Sequence, residues 1–350
     1  MSLSDIPRTQ IEPLLPRPQK IFDGHNDMLY QLWTRGDQKG QLFLDTASDN
    51  PLCLCYQRAQ QGGLAGGLFA IFVPANSTPE GFSVLSQPEA LQYTRDMLAI
   101  ADYLAESYPD KFALCRTAED ITKAEQKGAL AAVLHIEGAE AIDPSLDTLY
   151  ELAEGGVRSI GPLWSRPNIF GQGVPFSFPG SPDQGSGLTT HGKALVKACD
   201  AADIMLDVSH LNEAGFWDIA NLSEQPLIAS HSNVHALCPS PRNLTDAQLD
   251  AIAERGGLVG ACFATAYLRA DGVRDPDTEI DLILRQFDYL ISRLGEDHVG
   301  FGSDFDGAVL PASLATPAAL PALLAAMQAY GFGEALIAKL SWDNWLRQLA

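Results

Sequence analysis

Six residues stand where their types and spacing could do chemistry. His25 and Asp27 close the apolar run IFDGHNDM (residues 21–28), Glu137 closes LHIEG, His210 closes LDVSH, His231 closes LIASH and Asp304 closes GFGSD. A single histidine in such a place is more often a satisfied core residue than a ligand. Six such groups, with no basic residue among them, are a different matter. Three ionised carboxylates crowded together repel one another and require a positive partner. A divalent cation supplies it, because neutral imidazoles and carboxylates suit zinc and similar ions. Six donors exceed what one tetrahedral ion uses and suit two ions sharing a carboxylate, a pairing associated with hydrolysis.

The elements around these residues must bring them to one place. Short, continuously apolar runs at 19–24, 66–73, 130–137, 157–163, 203–209, 226–231, 257–263 and 298–303 read as strands covered on both faces. Helix signals alternate with them. Thr117 with Asp120, and Thr245 with Gln248, open helices as capping pairs, Gly256-Gly257 ends one, and TEIDLILRQFDYLISRL (278–294) repeats with a period near 3.6 before Gly295. Eight βα units predict an α/β fold in one domain over residues 1–350, a closed (β/α)8 TIM-type barrel. An open doubly wound sheet is the runner-up, weakened by the lack of a glycine fingerprint after the first strand. In a barrel all six polar strand ends converge on the mouth where this fold places chemistry. Period-two alternation predicts that His25 and Asp27 both point inward. It places Asp23 beneath them, either supporting a ligand through a hydrogen bond or in a purely structural one. His135 lies one layer deeper and reads as core, His191 opens a helix, His298 starts a strand at the far end, and His235 is a weak candidate for the mouth. Residues 167–190 form a long Gly/Pro/Ser-rich loop on the active face.

Composition narrows the partners. The 350 residues are 46% hydrophobic with a formal net charge of −21, which argues against nucleic acid or an anionic membrane surface. No run is long and apolar enough to span a bilayer. Six scattered cysteines (53, 55, 115, 199, 238, 262) suggest reduced core residues. With no apolar leader visible at the N-terminus, the expected compartment is the cytoplasm. The expected partner is a small molecule, with a homodimer open.

Beyond these readings, DGHND (23–27), IEG (136–138), DVSH (207–210), SHS (230–232), PRN (241–243) and GSDFDG (302–307), in order along the chain, resemble the membrane (renal) dipeptidase family of zinc peptidases. The resemblance implies an amidohydrolase-type barrel with two Zn2+ ions. It implies that His25 and Asp27 bind one ion, His210 and His231 the other, and that Glu137 bridges them. Asp304 would carry the proton of a metal-bridging hydroxide to the leaving amine. Arg242 would grip the substrate carboxylate with its bidentate fork. Dipeptides, including L-Xaa-D-Xaa, are the implied substrates. In one place the pattern breaks. Where the family often carries a substrate-contacting histidine, this chain reads GPLWSRPN (161–168), with Trp164 in the histidine's place. Indole is no acid–base catalyst. Trp164 is therefore expected to line the substrate site, with Ser165, Arg166 or Asn168 available to polarise a carbonyl. This break keeps open a related hydrolase acting on a lactam or N-acyl amino acid. A non-catalytic metal-binding relative is the remoter alternative.

Overall fold

The computed structural model describes residues 19–78 and 81–350, so the expectation about the N-terminal leader lies outside the described residues. Eight parallel strands form the centre: β1 (Ile21–Asn26), β2 (Leu64–Phe72), β3 (Leu130–Glu137), β4 (Val157–Gly161), β5 (Met205–Leu206), β6 (Ile228–Ser232), β7 (Leu258–Ala261) and β8 (Val299–Phe301). Hydrogen-bonded neighbours run β5-β4-β3-β2-β1-β8-β7-β6. A parallel bridge between Asp207 and Ile228 joins β5 back to β6, and Val208 N donates to Ile228 O at 2.7 Å. The sheet thus closes as a (β/α)8 ring, and the doubly wound alternative falls away.

All eight expected strands are present, with two differences. β5 is two residues long instead of seven. A further short strand, Phe112–Leu114, pairs with the start of β3. β1 and β3 are buried along their whole length, which explains their lack of polar alternation. The helices obey their punctuation. Thr117 and Thr245 cap Ala118–Gln126 and Asp246–Glu254 with reciprocal bonds to Asp120 and Gln248. In Asp281–Leu294, Ile283, Leu284, Phe287, Leu290 and Leu294 form the buried stripe, and the helix stops at Gly295.

The core has two main parts. A large one fills the space between strands and helices. A smaller one, with Phe22, Leu68, Val133, Ile228 and Leu258, is closed by Trp345 from the last helix, Asn344–Gln348. Trp345 donates to Phe301 O at 2.9 Å. A Cβ at Gly24 or Gly300 would lie 2.4–2.5 Å from the Trp345 ring, so both positions must be glycine for the tryptophan to seat.

Candidate metal centre and substrate cavity

At the C-terminal ends of the strands lies a cavity of about 510 Å³. Asp27, Glu137, His210, His231, Arg242, Trp164 and Asp304 line it, and His25 is wholly buried beneath. Glu137 sits centrally. Its Oε2 is 3.6 Å from His25 Nε2, and its Oε1 lies 3.0 Å from His210 Nε2 and 3.6 Å from His231 Nε2. Asp27 Oδ2 is 3.4 Å from His25 Nε2. Donor atoms of His25, Glu137 and His231, and of His25, Asp27 and Asp304, each fall within 4.8 Å of one another. Strict strand alternation is not what delivers these groups. Asp27 lies one residue past β1, and the β1–β2 register shifts between Asp23 and Asn26. His210 and Asp304 occupy left-handed backbone (φ 67° and 65°), a conformation a non-glycine residue holds only where its surroundings enforce it.

The imidazoles are oriented from behind. Ser230 Oγ lies 2.5 Å from Asp207 Oδ2 and 2.8 Å from His231 Nδ1. The hydroxyl has one proton, and the carboxylate can only accept, so Ser230 must itself accept from Nδ1–H of His231. That leaves a lone pair on His231 Nε2, facing His210 Nε2 at 3.1 Å. His210 Nδ1 is likewise held by Ser165 Oγ at 2.8 Å. Neither ring nitrogen of buried His25 has a hydrogen-bond partner. Unpartnered buried nitrogens, a lone pair aimed at a second imidazole, and three nearby carboxylates are a donor set that fits divalent metal.

The electrostatics agree. Burial pushes Glu137 up to about 8 and Asp304 up to about 7, with His25 pulling both down and Asp27 pushing both up. Burial opposes charge on His25, yet Glu137, Asp27 and Asp304 outweigh it and carry it to about 10. Burial, reinforced by Arg242 and His25, drives His210 and His231 well below the usual imidazole range.

Other expected residues fall in varied places. Arg242 is buried at one side of the cavity, its Nη2 donating to His231 O at 3.1 Å and its guanidinium 5.3 Å over the Tyr267 ring, while its Nε has no partner. Asp23 accepts from Ser303 N (2.6 Å) and Oγ (2.5 Å), so it fixes the residue before Asp304, and it makes no hydrogen bond to the ring of His25. Arg166 and Asn168 require correction: neither lines the cavity. Arg166 is turned away into a buried pair with Glu140 (2.8 Å) and donates to the carbonyls of Val73 and Pro74. The Asn168 amide is spent on Pro162 O and Phe170 N within a tight turn. His235 binds Gly180 O and lies outside the cavity lining. His135 is held below by Ser159. The long loop after β4 contributes Phe176 to the cavity, and Val174 N donates to His210 O at 2.9 Å. A Cβ at Gly173 would lie 1.9 Å from Trp164 O, so that close approach needs glycine. Sequence reasoning missed Ser230 and Asp207 as supports. The available signal was a hydroxyl beside His231 and an acid three residues before His210.

The family model for membrane dipeptidases, peptidase family M19, matches residues 9–350. The chain belongs to this family. A metallopeptidase from Rhodobacter sphaeroides, solved with a phosphinate mimic of the dipeptide L-Ala-D-Ala, shares 44% identity. The match covers 95% of this chain and 99% of that one with a TM-score of 0.91. An uncharacterised Klebsiella pneumoniae protein from the pqqA 5′ region is 50% identical over 72% of this chain and 93% of its own length. The dipeptidase verJ of Clonostachys rogersoniana is 29% identical over 93% of this chain and 82% of its own. The protein is therefore a metallo-dipeptidase built on a (β/α)8 barrel. Despite the family's name, no helix among the described residues is long and apolar enough to cross a membrane.

Proposed function

We propose that this dipeptidase uses two zinc ions to hydrolyse the amide bond of dipeptides, L-Xaa-D-Xaa included. The observation that carries the proposal is the convergence of His25, Asp27, Glu137, His210 and His231 beside a buried arginine with an unpartnered Nε. His25 and Asp27 would hold one ion, His210 and His231 the other, with Glu137 between them. An imidazole-rich set favours zinc over magnesium or calcium. When bound, such a pair supplies Lewis-acid polarisation and a water acidified toward neutral pH.

The chain's own residues do the rest. Arg242 grips the substrate's terminal carboxylate, so an acidic protein retains an anionic substrate end. Asp304, at the mouth, takes the proton of the attacking water and returns it to the departing amine nitrogen. Ser230 keeps His231 in the tautomer that presents Nε2, and Ser165 holds the His210 ring through Nδ1. A cavity of about 510 Å³ suits two residues better than a longer peptide. The stereochemical part of the proposal draws support from the Rhodobacter neighbour, whose bound ligand mimics a dipeptide ending in a D-residue.

The test is metal analysis coupled to a panel of dipeptides, with L- and D-residues at each position, set against N-acyl amino acids and lactams. The expected result is two zinc equivalents and highest kcat/KM on dipeptides. Faster turnover of N-acyl substrates would transfer the assignment to that class, which Trp164 keeps in view.

A further inference from the structure

Across the mouth from Arg242 stands a group of aromatic side chains with no role in the scheme above. Trp164 lies 4.9 Å from Phe72, 4.7 Å from Phe82 and 5.3 Å from Phe176, ring centre to ring centre, and Phe82 is 5.6 Å from Phe176. All four line the cavity and are only partly buried, unlike the aromatic residues of the core. We infer that this wall is the subsite for the side chain on the amino side of the scissile bond, and that it selects large apolar or aromatic side chains. The inference rests on the dipeptidase reading above and names the substrates of that same site.

Three observations carry it. The first is position. Phe72 ends β2, Phe82 follows β2, and Trp164 and Phe176 follow β4, whereas Arg242 and Tyr267 follow β6 and β7. In a ring of eight strands these sectors face each other. A dipeptide whose carboxylate is at Arg242 spans the donor cluster and lays its other residue against the wall. The second is proximity to the reacting centre. The wall adjoins the donors directly, with the His210 ring 5.8 Å from Trp164 and 6.2 Å from Phe176. The third is rigidity. The Arg166 guanidinium stacks behind Trp164 (5.7 Å) and Phe72 (5.9 Å) while pinned by Glu140 and two backbone carbonyls. Arg166 is thus a positioning residue for the wall. A fixed apolar surface gains most from an apolar side chain and rejects a charged one, which it would strip of water. Of the cavity's charged residues, Asp27, Asp304, Asp306, Arg242 and Arg274 come from the other sectors, and Glu137, which ends β3, belongs to the donor cluster at the wall's foot.

The test uses the zinc-loaded enzyme and a series Xaa-Ala with Xaa Phe, Leu, Ala, Gly or Asp. Phe-Ala and Leu-Ala are expected to exceed Gly-Ala and Asp-Ala in kcat/KM by about tenfold or more. In Trp164→Ala the Phe-Ala to Gly-Ala ratio is expected to fall at least about fivefold. Phe82→Ala, in a two-residue strand (Gly81–Phe82) outside the barrel sheet, is expected to shift it in the same direction, so the outcome stands even if the tryptophan variant misfolds. Brisk hydrolysis with a flat ratio, or a ratio unchanged in the folded variants, would overturn the subsite alone. No hydrolysis of any dipeptide would overturn the dipeptidase reading, and this inference with it.

Discussion

Glu137 reaches His25 with Oε2 and His210 and His231 with Oε1, and that placement makes it the most informative residue to change. Glu137→Gln keeps the volume and loses the charge. It is expected to lower occupancy at both metal positions, seen as fewer than two equivalents after dialysis; two tightly held ions would refute a bridging role. Asp304→Asn is expected to retain metal while kcat falls by about 10²–10⁴-fold, the range for loss of a general acid–base. Metal uptake also has a sign in pH. With Glu137 raised to about 8 and His25 to about 10, the metal-free site carries protons that an entering cation must displace. Apparent affinity should therefore rise with pH between 6.5 and 8, with proton release measurable by calorimetry in buffers of different ionisation enthalpy. Affinity independent of pH would contradict the shifted groups.

At the scale of elements, the seam between β5 and β6 shows why strand prediction overshot. Residues 203–209 have a strand's composition, but the regular strand ends at Leu206, and beyond it only the Asp207–Ile228 bridge and the bonds of Asp207 N to Ile160 O and Val208 N to Ile228 O continue the pairing. Asp207 then bonds sideways, its Oδ1 accepting from Ser230 N at 2.9 Å and from Ser209 N at 3.0 Å. The side chain supplements that sparse backbone pairing and at the same time braces the serine that orients His231. Asp207→Ala is expected to cost about 2–4 kcal/mol of stability, since it strands several buried donors, and to weaken metal binding by about 10–100-fold. A denaturant titration with a parallel metal titration checks both. The loop after β4 teaches a related lesson. Arg166 and Asn168 are expected in the cavity because they follow Trp164, which stands in the place of the family's substrate-contacting histidine. Two residues from Trp164, Arg166 turns the other way, because Glu140 and two carbonyls satisfy its donors. Loop spacing carries no period from which such a reversal can be read.

For the whole molecule, the barrel is held at one end by packing and at the other by the donor cluster. Trp345 closes the first, and truncating it to Ala is expected to cost about 3–5 kcal/mol. At the mouth, several buried carboxylates and imidazoles converge with few hydrogen bonds among them. Chelation is therefore expected to lower the melting temperature, and zinc to restore it, because ligands that bind only the folded state stabilise it.

Much of this design is local and therefore legible in sequence. Apolar runs marked all eight strands, capping pairs marked helix starts, and the polar residue ending a run marked each member of the donor cluster. These depend on near neighbours in the chain, and their periods and spacings survive in one dimension. The tertiary structure alone decided the rest. It set the short β5 and the shifted register of β1, the Ser230–Asp207 relay that selects a tautomer, and the turning of Arg166 from the cavity to the back of Trp164. Each depends on groups brought together from distant strands, where the choice between partners is made by burial and hydrogen-bond satisfaction rather than by spacing along the chain.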